Sequence, residues 1–191
     1  MKQRKNQLII IIIVLFISGF LVASLTSFFA ARSSLRSQIT QSELPLTGDN
    51  IYSEIQHDLI NPVFIIFDID NFKETNDAFG HIAGDSVLKD VAKTARGNIR
   101  IPDALFRWGG EEFLIILKEC GLDHAFDVAE KIRKAVANSP TLHKNKKIPT
   151  TISLGVAQYL HEESVDVMLS RIDKALYSAK HNGRDRTEKA L

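Results

Sequence analysis

A pair of glycines followed by a pair of acids, Gly109-Gly110-Glu111-Glu112, is the part of the sequence best suited to chemistry. Apolar segments at 104–106 and 113–117 flank it, which is the pattern of a β-hairpin whose turn holds the glycines. Glycine lets the backbone approach a ligand because it has no Cβ, and adjacent carboxylates are common ligands of a divalent metal. On its own, the segment fits a ligand-binding turn and a solvated hairpin tip about equally well.

A second acidic cluster, Asp68-Ile69-Asp70, ends the apolar run at 63–67. Other short motifs follow in order: Phe72-Lys73, Asn76-Asp77, Gly80-His81, Gly84-Asp85, Ala175-Leu176-Tyr177, Ala179-Lys180 and Gly183-Arg184. With the glycine turn, their order and spacing closely resembles the GGDEF family of diguanylate cyclases over residues 62–185. The resemblance implies an enzyme that condenses two GTP into cyclic di-GMP and releases two pyrophosphates. Asp185 is a departure, because that family usually has Asn there.

The resemblance also implies a site that depends on Mg²⁺ or Mn²⁺. Nucleotidyl transfer requires positioning and neutralisation of phosphate charge, which divalent cations supply. In the family, the positions matching Asp68, the carbonyl of Ile69 and Glu112 hold the metal. Glu111 and Glu112 match the catalytic acids, and the counterpart of Glu111 is assigned to metal binding or to activation of the ribose 3′-hydroxyl. Asp70, on the same strand face as Asp68, matches a supporting position.

Three residues match positions that lie near the guanine base in the family. A guanine requires a carboxylate that accepts from N1 and the exocyclic amine, and an amide that reads the other edge. Asp85 and Asn76 match these positions, and His81 matches a position beside the nucleotide. A turn and a helix N-cap are the structural alternatives for Asn76 and Asp85, and a buried or turn histidine is as good an interpretation of His81.

The triphosphate requires cations and backbone donors. Lys73, Lys180 and Arg184 match phosphate-contacting positions of the family, and the N–H groups of Gly109 and Gly110 can bind phosphate oxygens. The spacing places Lys180 and Arg184 one turn apart at a helix end, where the helix dipole alone also favours basic residues.

Arg100-Ile101-Pro102-Asp103 stands just before the hairpin. Its spacing to Gly109 matches the product-inhibition motif of many such cyclases, and the resemblance therefore implies that Arg100 and Asp103 bind cyclic di-GMP at a second site. An arginine fork suits a guanine edge or a phosphate. The alternative is a loop salt bridge beside a proline turn.

The elements that position these residues can be read from hydrophobic periodicity. Strands are predicted at 63–67 and 150–159, and helices at 86–95, 123–137 and 165–180, with Gly183 as a stop signal. The order strand, helix, hairpin, helix, strand, helix predicts a mixed α/β fold, one sheet with packed helices. A ferredoxin-like arrangement fits, and the resemblance implies the related palm-type fold of nucleotide cyclases.

The composition agrees with one modest domain plus an additional segment. The 191 residues are 45% hydrophobic and 25% charged, as in a globular protein with a core. A net charge of +1 gives no reason to expect a nucleic-acid partner. The single cysteine, Cys120, cannot form an intrachain disulfide and is predicted to be an inert loop residue.

The N-terminal third has a different character. Residues 8–31 carry no charge, which predicts a transmembrane helix, since about 20 apolar residues span a bilayer. A cleaved signal peptide is the alternative, but its apolar part is usually only about 7–15 residues long. Residues 1–7 form a basic start, and 32–61 a linker or sensor remnant that resembles the opening of a Cache-type sensor. Ile51, Ile55 and Leu59 recur there at helical spacing.

These features predict an enzyme in the bacterial inner membrane. Basic residues lie on both sides of the apolar segment, so the charge bias is ambiguous, but the cyclase domain at 62–191 is expected in the cytoplasm, where GTP is. The resemblance implies that each domain binds one GTP, so catalysis would require a homodimer. The alternatives are a non-catalytic module that binds GTP or cyclic di-GMP, and a truncated, inactive remnant of a sensor-cyclase.

Overall fold

The computed structural model of the protein describes residues 62–160 and 163–190. Its helices and strands, in chain order, are β1 Val63–Ile69, α1 Phe72–Phe79, α2 His81–Arg96, β2 Ala104–Arg107, β3 Glu112–Leu117, α3 Leu122–Ala137, β4 Thr141–His143, β5 Lys146–Ile148, β6 Ile152–Gln158, α4 Val165–His181 and β7 Thr187–Lys189. The predicted mixed α/β fold, a sheet with packed helices, is confirmed.

Within these residues, five strands form one sheet in the order β2-β3-β1-β6-β7. The central strand β1 is antiparallel to both of its neighbours, β3 and β6, and β7 runs parallel to β6. Every residue of β1 is buried, which explains why residues 63–67 form a continuous apolar run without alternation. Strands β4 and β5 form a separate small hairpin.

Helices cover both faces of this sheet. Odd-numbered residues of β1, such as Phe67, join a core with α2 and α3, and even-numbered ones, such as Phe64, join a core with α4. Helix α4 lies directly on β6, because a Cβ at Gly155 would stand 2.6 Å from the carbonyl oxygen of Ile172. This close approach sets the position of α4 against the strands.

The structure extends most of the predicted elements, shortens the strand predicted at 150–159 to Ile152–Gln158, and adds three elements. Helix α2 begins at His81, five residues before the predicted start at Ser86, and β1 continues to Ile69. Helix α1, the β4–β5 hairpin and strand β7 were not predicted. Helix α1 has only eight residues and none is fully buried, and its Asn76-Asp77 pair is typical of a turn.

The predictions for Cys120 and for the N-terminal apolar segment have different outcomes. Cys120 lies in the loop between β3 and α3, as predicted; its thiol is buried, which raises its pKa. Among residues 62–160 and 163–190, no helix combines the length and apolarity that crossing a bilayer requires. The predicted transmembrane helix at 8–31, the linker at 32–61 and the helical spacing within it lie outside the described residues.

Candidate active site

Strand pairing brings the two acidic clusters together. Asp68, near the end of β1, is the cross-strand partner of Glu112 at the start of β3. The next residue, Ile69, donates its backbone N–H to the carbonyl oxygen of Glu111 over 3.3 Å. By the alternation along each strand, Asp68 and Glu112 belong to the face that α4 covers. The pairing therefore places the hairpin beside the end of β1.

The glycine turn is held by its own backbone and by one arginine. The N–H groups of Trp108 and Gly109 donate to the carbonyl oxygen of Glu112 over 2.8 and 3.2 Å. The guanidinium of Arg107 donates to the carbonyl oxygen of Gly110 from Nε and Nη2 over 3.1 and 2.6 Å. Gly110 is exposed, and a Cβ built on it would have no neighbour within 4 Å. The fold has no steric need for this glycine, so its missing Cβ leaves backbone open to a ligand.

A lysine from the last turn of α4 reaches the acidic cluster. The Nζ of Lys180 lies 2.9 Å from Oδ2 of Asp68, whose side chain is 8% exposed. Burial raises the pKa of Asp68 to about 6, the hydrogen bond and charge of Lys180 oppose this rise, and the charges of Glu111 and Glu112 add to it. Because the aspartate is buried next to two other acids, a further cation would be favourable here.

The donor set at this point fits a hard divalent cation. The carboxylates of Asp68 and Glu112 and the carbonyl of Ile69 supply oxygen ligands, which Mg²⁺ prefers. In the part of the chain that the structure describes, no three acidic, histidine or cysteine side chains are gathered into a ready metal site. The chemistry of the donors therefore fits Mg²⁺, while Lys180 is the cation that contacts Asp68 in this structure.

Asp70 has a structural environment that sequence spacing did not reveal. Its buried carboxylate accepts hydrogen bonds from the hydroxyls of Thr151 and Ser153 over 2.7 and 2.6 Å. It also accepts the backbone N–H of Asp185 over 3.1 Å. Asp70 thus joins the end of β1 to β6 and to the loop after α4, in agreement with the supporting position that the resemblance implied.

The predicted base-recognition residues lie at the corner between α1 and α2. Gly80, with φ of 85°, makes this corner. The amide of Asn76 packs so closely against Gly84 that a Cβ at position 84 would overlap its Oδ1. Asp85 and His81 are both exposed on the first turns of α2. The turn and N-cap alternatives for Asn76 and Asp85 are wrong because both residues lie within helices, and His81 is not buried.

The predicted phosphate-binding cations come from three places. Lys73 is exposed on α1, and Lys180 lies in the last turn of α4. Arg184 lies beyond the end of α4, with φ of 62°, and its backbone N–H donates to the carbonyl oxygen of Ala179 over 3.0 Å. The interpretation that Lys180 and Arg184 lie one helical turn apart is wrong, because Gly183, with φ of 111°, ends the helical path before Arg184.

Arg100 and Asp103 form an ion pair within their loop. Asp103 is buried and accepts from the backbone N–H, Nε and Nη2 of Arg100 over 2.9 to 3.1 Å, and from the N–H of Lys118 over 3.2 Å. Arg100 also donates to the carbonyl oxygen of Lys118 over 2.6 Å, and 54% of its side chain is exposed. The contacts of Asp103 match the alternative of a loop salt bridge. Binding of cyclic di-GMP by the exposed guanidinium of Arg100 stays a prediction.

Known proteins resemble this chain over a region that contains the candidate site. The sequence model described as "Diguanylate cyclase, GGDEF domain" matches residues 48–186. Diguanylate cyclase A of Treponema denticola is 46% identical over 123 residues, which make up 64% of this chain and 33% of that protein. The chain thus spans about a third of the length of this curated relative.

Solved structures share the fold. The diguanylate cyclase SiaD of Pseudomonas aeruginosa, crystallised with its activator SiaC, aligns with a TM-score of 0.71 and 29% identity over 88% of this chain and 69% of that one. The active GGEEF domain of a diguanylate cyclase from Vibrio cholerae aligns with a TM-score of 0.64 and 35% identity over 75% of this chain and 89% of that one.

Proposed function

The chain belongs to the GGDEF family of diguanylate cyclases, and from this we propose that it condenses two GTP molecules into cyclic di-GMP with release of two pyrophosphates. One observation carries the proposal: β-sheet pairing sets Asp68 opposite Glu112, with Glu111 beside them on the hairpin. Acids on paired strands next to an open glycine turn are costly for the fold, and they suit the transfer of a nucleotidyl group.

The reaction joins two nucleotides in two equivalent steps. In each step the 3′-hydroxyl oxygen of one GTP forms a bond to the α-phosphorus of the other, and the bond from that phosphorus to pyrophosphate breaks. The hydroxyl proton leaves to a base, and Glu111 is the carboxylate that we assign to this role. A Mg²⁺ or Mn²⁺ held by Asp68, the Ile69 carbonyl and Glu112 would neutralise charge on the phosphate oxygens.

The remaining site residues bind and orient the nucleotide. Asp85 and Asn76, at the corner between α1 and α2, would read the guanine base, with His81 beside it on α2. The exposure of Asp85 and His81 leaves both side chains accessible to a base.

Cations and backbone donors would hold the triphosphate. Lys73, Lys180 and Arg184 supply positive charge. Of the two glycines in the open turn, Gly110 would supply its N–H group, since the N–H of Gly109 already donates to the carbonyl oxygen of Glu112. Removing charge repulsion between phosphates and acids is the main task of these residues, since the protein contributes little covalent chemistry to such transfers.

The assembly and regulation follow from stoichiometry and from the exposed arginine. Each domain would hold one GTP, so two copies must face each other and the working enzyme would be a homodimer. Arg100 and Asp103 would bind cyclic di-GMP at a second site, and the bound product would inhibit the enzyme. Residues 8–31 would anchor the chain in the bacterial inner membrane with the cyclase domain in the cytoplasm, a proposal that rests on the uncharged sequence of that segment.

Turnover of GTP by the purified full chain tests the proposal. With Mg²⁺ present, we expect conversion of GTP to cyclic di-GMP and pyrophosphate in a 1:2 ratio, and no conversion when the metal is chelated. Binding of GTP or cyclic di-GMP without turnover would instead identify a binding module. A chain that neither binds nor turns over either nucleotide would be an inactive remnant.

A further inference from the structure

The loop after α4 has an unusual backbone. Gly183, Arg184 and Asp185 have φ of 111°, 62° and 44°, so three consecutive residues are in the left-handed region. Glycine adopts this region freely, but arginine and aspartate do so only when their surroundings hold them there. Because the side chain of Arg184 is exposed, contacts of the residues around it must hold its backbone in this conformation.

Asp185 is fixed from two directions. Its backbone N–H donates to Oδ2 of Asp70 over 3.1 Å, next to the acidic end of β1. Its carboxylate accepts from Nη1 of Arg133, on α3, over 2.6 Å. Because both its backbone and its side chain are held, Asp185 fixes the direction in which the preceding residue, Arg184, leaves the loop.

Arg133 is itself immobilised by an acid on its own helix. Its Nε and Nη2 donate to the two carboxylate oxygens of Glu130 over 2.8 and 3.0 Å, and only 17% of its side chain is exposed. Glu130 also accepts from the hydroxyl of Thr187, the first residue of β7, over 2.7 Å. Helix α3 therefore holds the loop at Asp185 and again at Thr187.

We propose that Arg133 is a positioning residue for nucleotide binding, which acts through Asp185 to hold Arg184 in the backbone conformation that presents its guanidinium to the triphosphate. Arg133 does not contact the nucleotide in this proposal. The charge of Asp185 suits the role, because a carboxylate accepts a stronger hydrogen bond from a guanidinium than an amide does. The inference rests on the proposed function, since it takes Arg184 as a phosphate ligand.

A double-mutant cycle between Arg133 and Arg184 tests this. The full chain is titrated with 3′-deoxy-GTP and Mg²⁺, an analogue that lacks the attacking hydroxyl, so that affinity is measured without turnover. We expect Arg133→Met to weaken binding about fivefold in the unmodified background and by less than about twofold in the Arg184→Ala background. An equal loss in both backgrounds would overturn the proposal, because Arg133 would then act independently of Arg184.

Arg171 provides a matched control. Its guanidinium makes the same kind of two-point pair with Glu163, over 2.7 and 3.0 Å, and its side chain is 18% exposed. Arg171→Met should leave the affinity for 3′-deoxy-GTP unchanged, which separates positioning from the general loss of an ion pair. A fivefold loss in this control as well would count against the proposal.

Substitutions at position 185 keep the test decisive if Arg133→Met fails to fold. Asp185→Ala leaves the Arg133–Glu130 pair in place but removes the link to the loop, so it should show the same non-additivity with Arg184→Ala. Asp185→Asn retains an oxygen acceptor and tolerates the left-handed backbone, and it should recover most of the affinity. An additive Asp185→Ala would overturn the proposal. Failure of the unmodified chain to bind the analogue would overturn the proposed function, and with it this inference.

Discussion

Asp68 and Asp70 are two residues apart at the end of β1, and only 6% and 7% of their surfaces are exposed, yet their surroundings are opposite. Asp70 accepts three hydrogen bonds from neutral donors, two hydroxyls and a backbone N–H. Asp68 has one lysine for a partner, and the negative charges of Glu111 and Glu112 act against it. The carboxylate of Asp70 is stabilised by its hydrogen bonds, whereas the charge of Asp68 is unfavourable for the fold.

This difference distinguishes an acid that serves the fold, Asp70, from one that is suited to the proposed chemistry, Asp68. An acid whose pKa is raised by burial and by neighbouring acids lowers stability at neutral pH, so its presence indicates a use in function. A buried acid surrounded by donors contributes to stability whether or not a ligand binds. Substitutions that affect activity and stability in different directions can separate the two groups.

The largest expected effect belongs to the acidic cluster. Glu112→Gln keeps the shape of the side chain but removes one charge opposite Asp68, so we expect cyclic di-GMP synthesis to fall at least about a thousandfold, because metal-assisted charge stabilisation contributes several kcal/mol. Turnover of GTP with Mg²⁺ measures this, and circular dichroism checks the fold. The control is Glu119→Gln, an exposed acid in the loop after β3. Wild-type turnover in a folded Glu112→Gln protein would disprove the metal assignment.

The second prediction reverses the usual effect of a mutation on stability. The pKa of Asp68 in the fold is about 6, against an ordinary value of 3.8. Because the fold favours the protonated form, the contribution of Asp68 to the free energy of unfolding is greatest below pH 3.8. It is lost as the pH rises through about 6. Without metal, Asp68→Asn should therefore raise the free energy of unfolding at pH 8 by about 3 kcal/mol.

Urea unfolding followed by fluorescence of the single tryptophan, Trp108, measures this change. At pH 4 the gain should largely disappear, because the native aspartate is then protonated. Asp90→Asn, on the exposed side of α2, is the control and should change stability little at either pH. A loss of stability on Asp68→Asn at pH 8 would show that the Lys180 pair outweighs burial and repulsion.

The third prediction has the opposite sign at the neighbouring position. Asp70→Asn replaces one acceptor oxygen with an amide nitrogen that cannot accept from Thr151, Ser153 or the Asp185 N–H. At least one buried donor then lacks a partner, so the free energy of unfolding should fall by about 1–3 kcal/mol. Ser153→Ala, which removes a single donor, should cost less. If Asp68→Asn and Asp70→Asn shift stability in the same direction, the contrast between the two sites is wrong.

Sequence reasoning predicted the acidic cluster well because local patterns encode its parts. The hairpin has flanking apolar runs and a glycine turn, and β1 is a continuous apolar segment, so both elements and their acids were found. The sequence did not reveal that Asp68 and Glu112 are direct cross-strand partners, because the register depends on the packing of the whole sheet.

The contacts of Asp70 and Arg133 were not predictable in the same way. Thr151 and Asp185 lie 81 and 115 positions from Asp70, and Asp185 lies 52 positions from Arg133. Hydroxyl and guanidinium groups at such distances leave no periodic pattern. Helix α1 was missed for a different reason, since its eight residues include Asn76-Asp77, a pair that is typical of turns.

The smallest expected effect on stability concerns a third acid, Asp103. It tests whether this acid has all of its partners within the fold, as Asp70 does, or belongs to a ligand site, as proposed for Asp68. Arg100→Ala removes the guanidinium from Asp103 but leaves the backbone N–H groups of Arg100 and Lys118 as its donors. Since that guanidinium is half-exposed, the loss of stability should stay below about 1 kcal/mol.

The same substitution tests the proposed product site. If the exposed guanidinium binds cyclic di-GMP, inhibition of Arg100→Ala should require at least about tenfold more added product than inhibition of the unmodified enzyme. Arg96→Ala is the control, because Arg96 donates to the carbonyl oxygens of Ile101 and Asp103 in the same loop without taking part in the proposed binding. Equal inhibition of Arg100→Ala and the unmodified enzyme would show that Arg100 has a structural role alone. The partners of Asp103 would then all lie within the fold, as those of Asp70 do.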